Sequence, residues 1–482
     1  MSLLSVDATT ALLAIPLLAA VALTLIPGYR GETRFNVAAS FLALLASLSL
    51  LAYRPETGPL LIVDDLNIVF IVLNNLIGFT TAVFSAGYIG HELEAGHLRP
   101  GFLRFYHAMF QALLFTMNLA LMANNIGLIW VAVELATLTT IMLVGLYRTE
   151  QALEAAWKYF ILGSVGIALA LFGTILVYVA AQPTIGEGLD AMAWTVLVAR
   201  AEAFDPALLN LAFVFLLLGY GTKAGLVPVH GWLPDAHAEG PTPISAVLSG
   251  LLLNVALYAV LRFKMLLTAN HEALAPGPLM IAMGLASLLF AAFMLYRRRD
   301  IKRLFAYSSI EHMGIATFAF GIGGPLANFG GLLHMAMHSL TKSAIFFAVG
   351  DISQAKGTRS IADLRGLTVS HPALGWALLA GVVAIAGLPP LGIFMSEFLI
   401  VTSTFASQPW LGVVFVAGLL IALGALFWRL SEMSFGEPHG ESIPARSSYA
   451  PLAAHMALVL VTGIYLPGPL VAAFQHIAGL LG

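Results

Sequence analysis

Five ionisable side chains sit inside long apolar runs of this 482-residue sequence: Glu134, Lys223, Glu311, Lys342 and Glu397. A charge at the centre of a bilayer costs about 2.5–3.5 kcal/mol even on the lenient insertion scale. Left unpaired in lipid, the five would cost more than about 12 kcal/mol by simple addition. They must therefore face a protein interior, pair, or meet water. Carboxylates, amines and imidazoles held there exchange protons, so the chemistry they suggest is proton carriage. No catalytic residue is expected.

Lys223 stands just before a Gly/Pro break, Ala224-Gly-Leu-Val-Pro228. A desolvated lysine gives up its proton more readily than one in water, which suits it to carry protons near neutral pH. The competing role is a fixed structural ion pair, but a buried pair is a poor stabiliser. Glu134, in Trp130-Val-Ala-Val-Glu134, is the natural counter-charge. Its presence holds the lysine protonated, and its removal lets the proton go. The competing role for Glu134 is a carboxyl kept permanently neutral.

His334, His338 and Lys342 recur at i, i+4, i+8, one face of a helix, and read as a graded proton relay. Structural hydrogen bonding is the alternative. A metal site on the two histidines is the weakest reading, because Met335-Ala-Met337 lacks the glutamate of a zinc-protease helix. No metal is expected. Glu311 and His312 are adjacent, so they point about 100° apart and serve different neighbours. For these two, relay and structural roles are evenly balanced.

Glu397 follows a second break and stands as the counterpart of Lys223, a terminal acid able to release protons outward. His230, Asp235, His237 and Glu239 crowd the Pro-rich stretch after the first break. They read as the polar mouth of a proton path. They also read as a capped turn in which Asp235 N-caps the next helical segment and Pro241 and Pro243 open the next span.

The elements that must hold these residues are membrane helices. Hydrophobic residues make up 60% of the chain and charged ones 10%, against about 25% charged in a soluble domain. That excludes a soluble enzyme and a disordered chain. A net charge of −3 gives no electrostatic case for nucleic acid. There is no cysteine, which excludes disulfides and cysteine-ligated iron–sulfur clusters. No cofactor is expected, and any electrons travel in other subunits.

About 14 runs reach the roughly 20 apolar residues that a span needs. They are 8–26, 36–52, 65–89, 105–123, 126–146, 155–181, 204–226, 243–264, 279–297, 303–323, 326–350, 372–404, 410–430 and 450–475. The connection 182–206 is expected to carry a short interfacial helix near Ala191–Ala203. With that number both termini share a side. Arg54, Arg200, Arg262 and Lys264 lie on it, and 16 of the 22 Lys and Arg lie on the other; Lys223 and Lys342 fall within spans. The positive-inside rule makes the richer side cytoplasmic and puts both termini outside, across the inner (plasma) membrane of a prokaryotic cell.

Spans 7 and 12 share a breaker pattern, Ala224-Gly-Leu-Val-Pro228 and Ala386-Gly-Leu-Pro-Pro390. Proline removes a backbone donor, so both helices should be discontinuous. Freed backbone at membrane depth is tolerated only where it lines a cavity. Spans 4–8 and 9–13 then form two five-helix repeats, the second inverted because the number of crossings is odd. Ordinary proline kinks are the alternative. The expected fold is an all-α polytopic membrane protein. Its parts are an N-terminal three-helix segment (1–104), a first repeat (105–264), a second inverted repeat (279–430) and a C-terminal helix (450–482).

Two long motifs carry a family resemblance: Gly221-Thr-Lys223-Ala-Gly-Leu-Val-Pro-Val-His230-Gly-Trp-Leu-Pro-Asp235-Ala-His237, and Asp300-Ile-Lys-Arg-Leu-Phe-Ala-Tyr-Ser-Ser309. They resemble the antiporter-like subunits of respiratory complex I, the Mrp-type cation/proton antiporters and the membrane arms of energy-converting hydrogenases. The resemblance covers about 105–430. Within it, Ser309-Ile-Glu311-His312-Met-Gly314, Leu251-Leu-Leu-Asn254 and Ala386-Gly-Leu-Pro-Pro-Leu-Gly-Ile-Phe-Met-Ser-Glu397-Phe are most similar to component F-like membrane subunits of hydrogenase-4 and formate hydrogenlyase-type complexes.

The resemblance implies that Glu134 is the family's helix 5 glutamate and Lys223 its helix 7 lysine. Glu397 takes the place of the helix 12 lysine or glutamate, and His334, His338 and Lys342 that of the helix 11 stripe. One position departs. Complex I members place lysine or histidine on helix 8, where this chain has Asn254, with Ser249 one turn earlier. The link between half-channels then runs through water held by Asn254 or takes another route.

The expected function is proton translocation as a non-catalytic membrane-arm subunit of a hydrogenase-4-like or complex I-like assembly. The partners are other membrane-arm subunits and a peripheral redox arm, of nickel–iron hydrogenase or NADH/formate dehydrogenase type. The ion is the proton, with sodium left open. The rival is an Mrp-like cation/proton antiporter subunit without a redox partner. A passive scaffold is disfavoured by the five charges within spans.

Overall fold

The computed structural model describes residues 7–99, 101–439, 443–444 and 447–482. The helices run α1 (Ala8–Leu23), α2 (Tyr29–Ala52), α3 (Asp65–Glu94), α4 (Gly101–Met122), α5 (Ile126–Val144), α6 (Glu150–Ile185) and α7 (Trp194–Arg200). They continue with α8 (Pro206–Ala224), α9 (Leu233–Glu239), α10 (Thr242–Val247), α11 (Leu253–Thr268), α12 (Gly277–Leu295), α13 (Ile301–Ile322) and α14 (Gly324–Lys356). The last are α15 (Leu367–Ser370), α16 (Pro372–Ile385), α17 (Gly392–Ser407), α18 (Pro409–Ser434), α19 (Ala450–Ile464) and α20 (Gly468–Leu480). Among the described residues the only extended pairings are isolated bridges. The helix expected between 182 and 206 is α7, flanked by single 3-10 turns.

Among the described residues ten helices are long and apolar enough to cross a membrane, or eleven if α19 and α20, bent by 73°, form one span. The chain is an integral membrane protein. The remaining expected spans coincide with helices that are shorter or more polar. α1, α16 and α17 have 16, 14 and 16 residues. α13 carries Lys302, Arg303, Glu311 and His312. α10 and α11, by contrast, are joined through a π-helical turn, Leu248–Leu252, into one of the ten, Thr242–Thr268.

The described residues form two compact units. The first comprises those of Met1–Ala82, Glu92–Lys223 and Val255–Pro276; the second, those of Val83–His91, Ala224–Asn254 and Gly277–Gly482. In lipid no hydrophobic force drives helices together, so close backbone approach and interhelical hydrogen bonds must do it. In the first unit α8 meets α6 at Gly219, where a Cβ would lie 2.5 Å from the Ala170 nitrogen. Asn74 and Asn75 each donate to the Asn118 side-chain carbonyl, at 2.8 and 2.9 Å, tying α3 to α4.

In the second unit α12 and α13 touch at Gly314, where a Cβ would stand 2.7 Å from the Gly284 carbonyl and 2.9 Å from the Leu288 nitrogen. Beside that contact Leu288, Ile315, Ile400 and Phe415 form an apolar core, with Phe318 stacked on Phe415 at 4.6 Å. Gly314→Leu should therefore force α13 off α12 and prevent the folded chain from accumulating. Gly479→Leu, which points into open space, should accumulate normally. Equal yields of the two in detergent-extracted membranes would reject this packing.

Candidate proton-conducting site

In the first unit the site is an ion pair. Lys223 lies one residue before the end of α8 and is fully buried, and its Nζ is 3.5 Å from Glu134 Oε2 on α5. That distance is longer than an ordinary N–H···O hydrogen bond, so the pair is slack. Glu134 is half-buried, with 21% of its side chain exposed. The ammonium faces the Tyr159 ring at 6.0 Å and the bare backbone of Gly163, where a Cβ would stand 2.9 Å from Nζ. Tyr159 in turn shares a 2.9 Å hydrogen bond with Thr140, which fixes that wall.

α8 stops at Ala224 because Gly225 takes φ 75°, a left-handed conformation that a side chain disfavours. The freed Val227 N–H donates to Ser287 Oγ at 2.9 Å, a side-chain partner for a backbone group the helix has released. Downstream, Asp235 does not cap a helix. It is the third residue of α9, whose N-cap is Trp232 and whose second residue is Pro234. Pro243 does open α10, with Pro241 as its N-cap.

Asp235 binds Arg303 at 2.8 Å, Glu239 is bridged by Arg303 at 3.6 Å and Arg359 at 3.4 Å, and Arg359 reaches Asp300 at 3.4 Å. These carboxylates anchor α9 to the start of α13. His230 packs edge-on against Phe290 at 4.7 Å, and His237 is buried flat against Phe346 at 5.2 Å.

The second unit holds the denser cluster. His334, His338 and Lys342 all lie on α14, and all are buried. His312 on α13 lies edge to edge with His334, ring centroids 5.1 Å apart and Nδ1 3.0 Å from His334 Nε2, and its ring is 5.6 Å from that of His338. His334 Nδ1 lies 3.0 Å from Ser396 Oγ on α17. Lys342 donates to the Phe305 carbonyl at 2.9 Å. Glu311 is within electrostatic reach of both Lys342 and Glu397.

Glu397 sits on α17 after the second break, where Gly387 has φ 68°, and a Cβ on Gly387 would collide with its carboxylate. Asn254 donates to the Met335 carbonyl at 2.9 Å and to Ser339 at 2.5 Å. Ser249, within the π-helical turn, shares a 2.7 Å hydrogen bond with Ser309. Both therefore bind the helices that carry the histidines.

Sequence reasoning counted Arg262 and Lys264 only as basic residues at the outer end of span 243–264; both are buried. Arg262 bonds Asp64 at 2.6 Å and Tyr258 Oη at 2.8 Å. Buried His107 and Asp351 were also passed over; a single titratable group among apolar neighbours was the available signal.

An all-helical membrane fold with two helices broken at matching Ala-Gly-Leu sequences, and buried Lys, Glu and His inside it, defines a class of ion-translocating subunit. The chain belongs to the family described as NADH:quinone oxidoreductase/Mrp antiporter, transmembrane, which matches residues 123–422. It is 64% identical over 471 residues to the hydrogenase-4 component F homolog of Methylacidiphilum infernorum (isolate V4), covering 98% of this chain and 99% of that one. A chain of respiratory complex I from Thermus thermophilus is similar in structure, with a TM-score of 0.78 and 26% identity over 96% of this chain and 99% of that one. A chain of the membrane-bound sulfane sulfur reductase, an archaeal respiratory membrane complex, shares the fold at a TM-score of 0.86 and 23% identity, covering 98% of each.

Proposed function

We propose that this chain is the proton-translocating membrane subunit of a redox-driven complex of hydrogenase-4 or complex I type. The observation that carries this reading is the slack ion pair between fully buried Lys223 and half-buried Glu134, in a chain so similar to a hydrogenase-4 component. Electron transfer in a partner arm biases the pair. When Glu134 holds Lys223 tightly the lysine keeps its proton; when the pair loosens, the proton leaves. His312, His334, His338, Lys342 and Glu311 carry protons onward, and Glu397 is the terminal acid. Asp235, Glu239 and His230 shape the mouth, with Asn254 and His237 lining the route.

Two inverted five-helix repeats, 105–264 and 279–430, between an N-terminal segment and a C-terminal helix, account for the parallels within the chain. Each break has a left-handed glycine, Gly225 and Gly387. Each repeat has an acid on its second helix, Glu134 and Glu311. Fourteen crossings result, with both termini outside a prokaryotic inner membrane. The partners are further membrane-arm subunits and a nickel–iron hydrogenase or an NADH or formate dehydrogenase arm.

The complex reconstituted in vesicles should take up protons when its electron donor is oxidised, and an uncoupler should abolish the gradient. Proton movement driven by a cation gradient without any electron donor would favour the Mrp-like alternative instead. A reporter fused after Gly482 should be active only outside the cytoplasm, and one inserted in loop 296–303 only inside. A fusion after Gly482 that works solely in the cytoplasm would reject this orientation.

A further inference from the structure

His312, His334 and Glu397 each offer one ligand atom, and these atoms lie within 4.8 Å of one another. They come from three helices, α13, α14 and α17. The hydrogen bonds around them fix which nitrogen carries a lone pair. Ser396 has one hydroxyl proton, and it donates this to the Ile393 carbonyl at 2.7 Å. At 3.0 Å from His334 Nδ1, the same oxygen must therefore accept. His334 is thus protonated on Nδ1, and its Nε2 presents a lone pair. That lone pair points at His312 Nδ1, 3.0 Å away.

Two nitrogens bound to one tetrahedral zinc at about 2.0–2.1 Å stand roughly 3.3 Å apart. Replacing the shared His312 proton by a metal therefore needs only a small parting of the rings. Glu397 adds a third ligand and a negative charge, which leaves a fourth position open. Ser396 is the outer partner that orients a ligating histidine, the arrangement metal sites require. Two imidazoles and one carboxylate suit a borderline transition-metal dication rather than calcium or magnesium, which prefer all-oxygen sites.

We infer that His312, His334 and Glu397 form a site for one transition-metal dication of zinc's class, and that the bound metal stops proton passage. The site itself follows from the side-chain geometry; the block rests on the proton route proposed above. Spacing along the sequence had paired His334 with His338. The fold instead sets His334 against His312 and Glu397, and both ring nitrogens of His338 lack a hydrogen-bond partner among the described residues.

The test uses the assembled complex in detergent, with zinc competed against a chromophoric chelator. The wild type should take up one more zinc per copy of this chain than a His312→Gln/His334→Gln/Glu397→Gln variant. His334→Gln and Glu397→Gln should each weaken binding on the order of 100-fold, and Ser396→Ala by about tenfold. His338→Gln should change it by less than about threefold. Cobalt(II) added to the wild type should give tetrahedral ligand-field bands that zinc displaces, a readout independent of how the variants fold.

Absence of those bands, or equal zinc in the wild type and the triple variant, would overturn the site. So would a loss with His338→Gln as large as with His334→Gln. Zinc should also halt redox-driven proton uptake in the wild type, and in Ser396→Ala, measured against that variant's own zinc-free rate, only at about tenfold higher zinc. Zinc bound with uptake unchanged would overturn the block, and with it the route through these residues, while the metal site stands.

Discussion

Lys223→Arg should lower proton pumping by about tenfold or more, nearly as far as Lys223→Ala, in a complex that still assembles. A guanidinium keeps the positive charge that balances Glu134 but does not release a proton at any working pH. If Lys223 were only a counter-ion, arginine would preserve its role. If it carries protons, arginine removes the step as surely as alanine. Assembly should survive alanine because the remaining carboxyl, half-buried on α5, can take up a proton and become neutral. The measurement is donor-driven proton uptake per assembled complex, with thermal midpoints recorded for both variants. Full pumping by the arginine variant would leave Lys223 as a fixed counter-ion.

Lys223 and Glu134 were legible because a charge inside an apolar run has only an interior to go to, and an interior charge needs a partner. The breaks were legible for a similar reason. Gly followed by Pro both stops a helix and supplies the left-handed turn, and Gly225 and Gly387 occupy that conformation.

Contacts between helices were not legible. Periodicity reads along one helix, so it linked His334 to His338. The 3.0 Å contact between His312 and His334 depends on how α13 packs against α14, where a Cβ on Gly331 would stand 2.9 Å from the Phe320 ring. Asp235 was misplaced as a cap because Asp after Pro is a common helix opening. The chain had already turned into α9 at Trp232, and the carboxylate went to Arg303 instead. The burial of Arg262 was missed because, at the end of an apolar run, an exposed basic residue is as good a reading as a buried one. Only partners far along the chain decide otherwise.

Those partners set the other large effect, which is expected on stability rather than on transport. Arg262 is fully buried on α11. Its Nη1 donates to Asp64 at 2.6 Å and its Nε to Tyr258 Oη at 2.8 Å, while its guanidinium lies 4.2 Å over the Trp194 ring. Trp194 returns a hydrogen bond to the Arg262 carbonyl at 2.9 Å, and Tyr258 donates to the Leu121 carbonyl at 2.7 Å. One side chain therefore ties α4, α7, α11 and the turn before α3 within a single unit.

Breaking a buried ion pair from one side costs about 3–5 kcal/mol, and the cation–π contact about 1 kcal/mol more. Asp64 keeps 26% of its side chain exposed, so water recovers part of the loss. Arg262→Met should therefore cost about 3 kcal/mol net. Arg262→Lys should cost about 1–2 kcal/mol, because the ammonium keeps the charge but has neither the planar fork nor the ring contact. Asp64→Asn combined with Arg262→Met should be less destabilising than the sum of the two by about 1–2 kcal/mol. Pumping per assembled copy should be unchanged throughout. Denaturant unfolding of the solubilised chain measures the coupling. Additivity within about 0.5 kcal/mol would mean that the pair is not the tie that holds these helices.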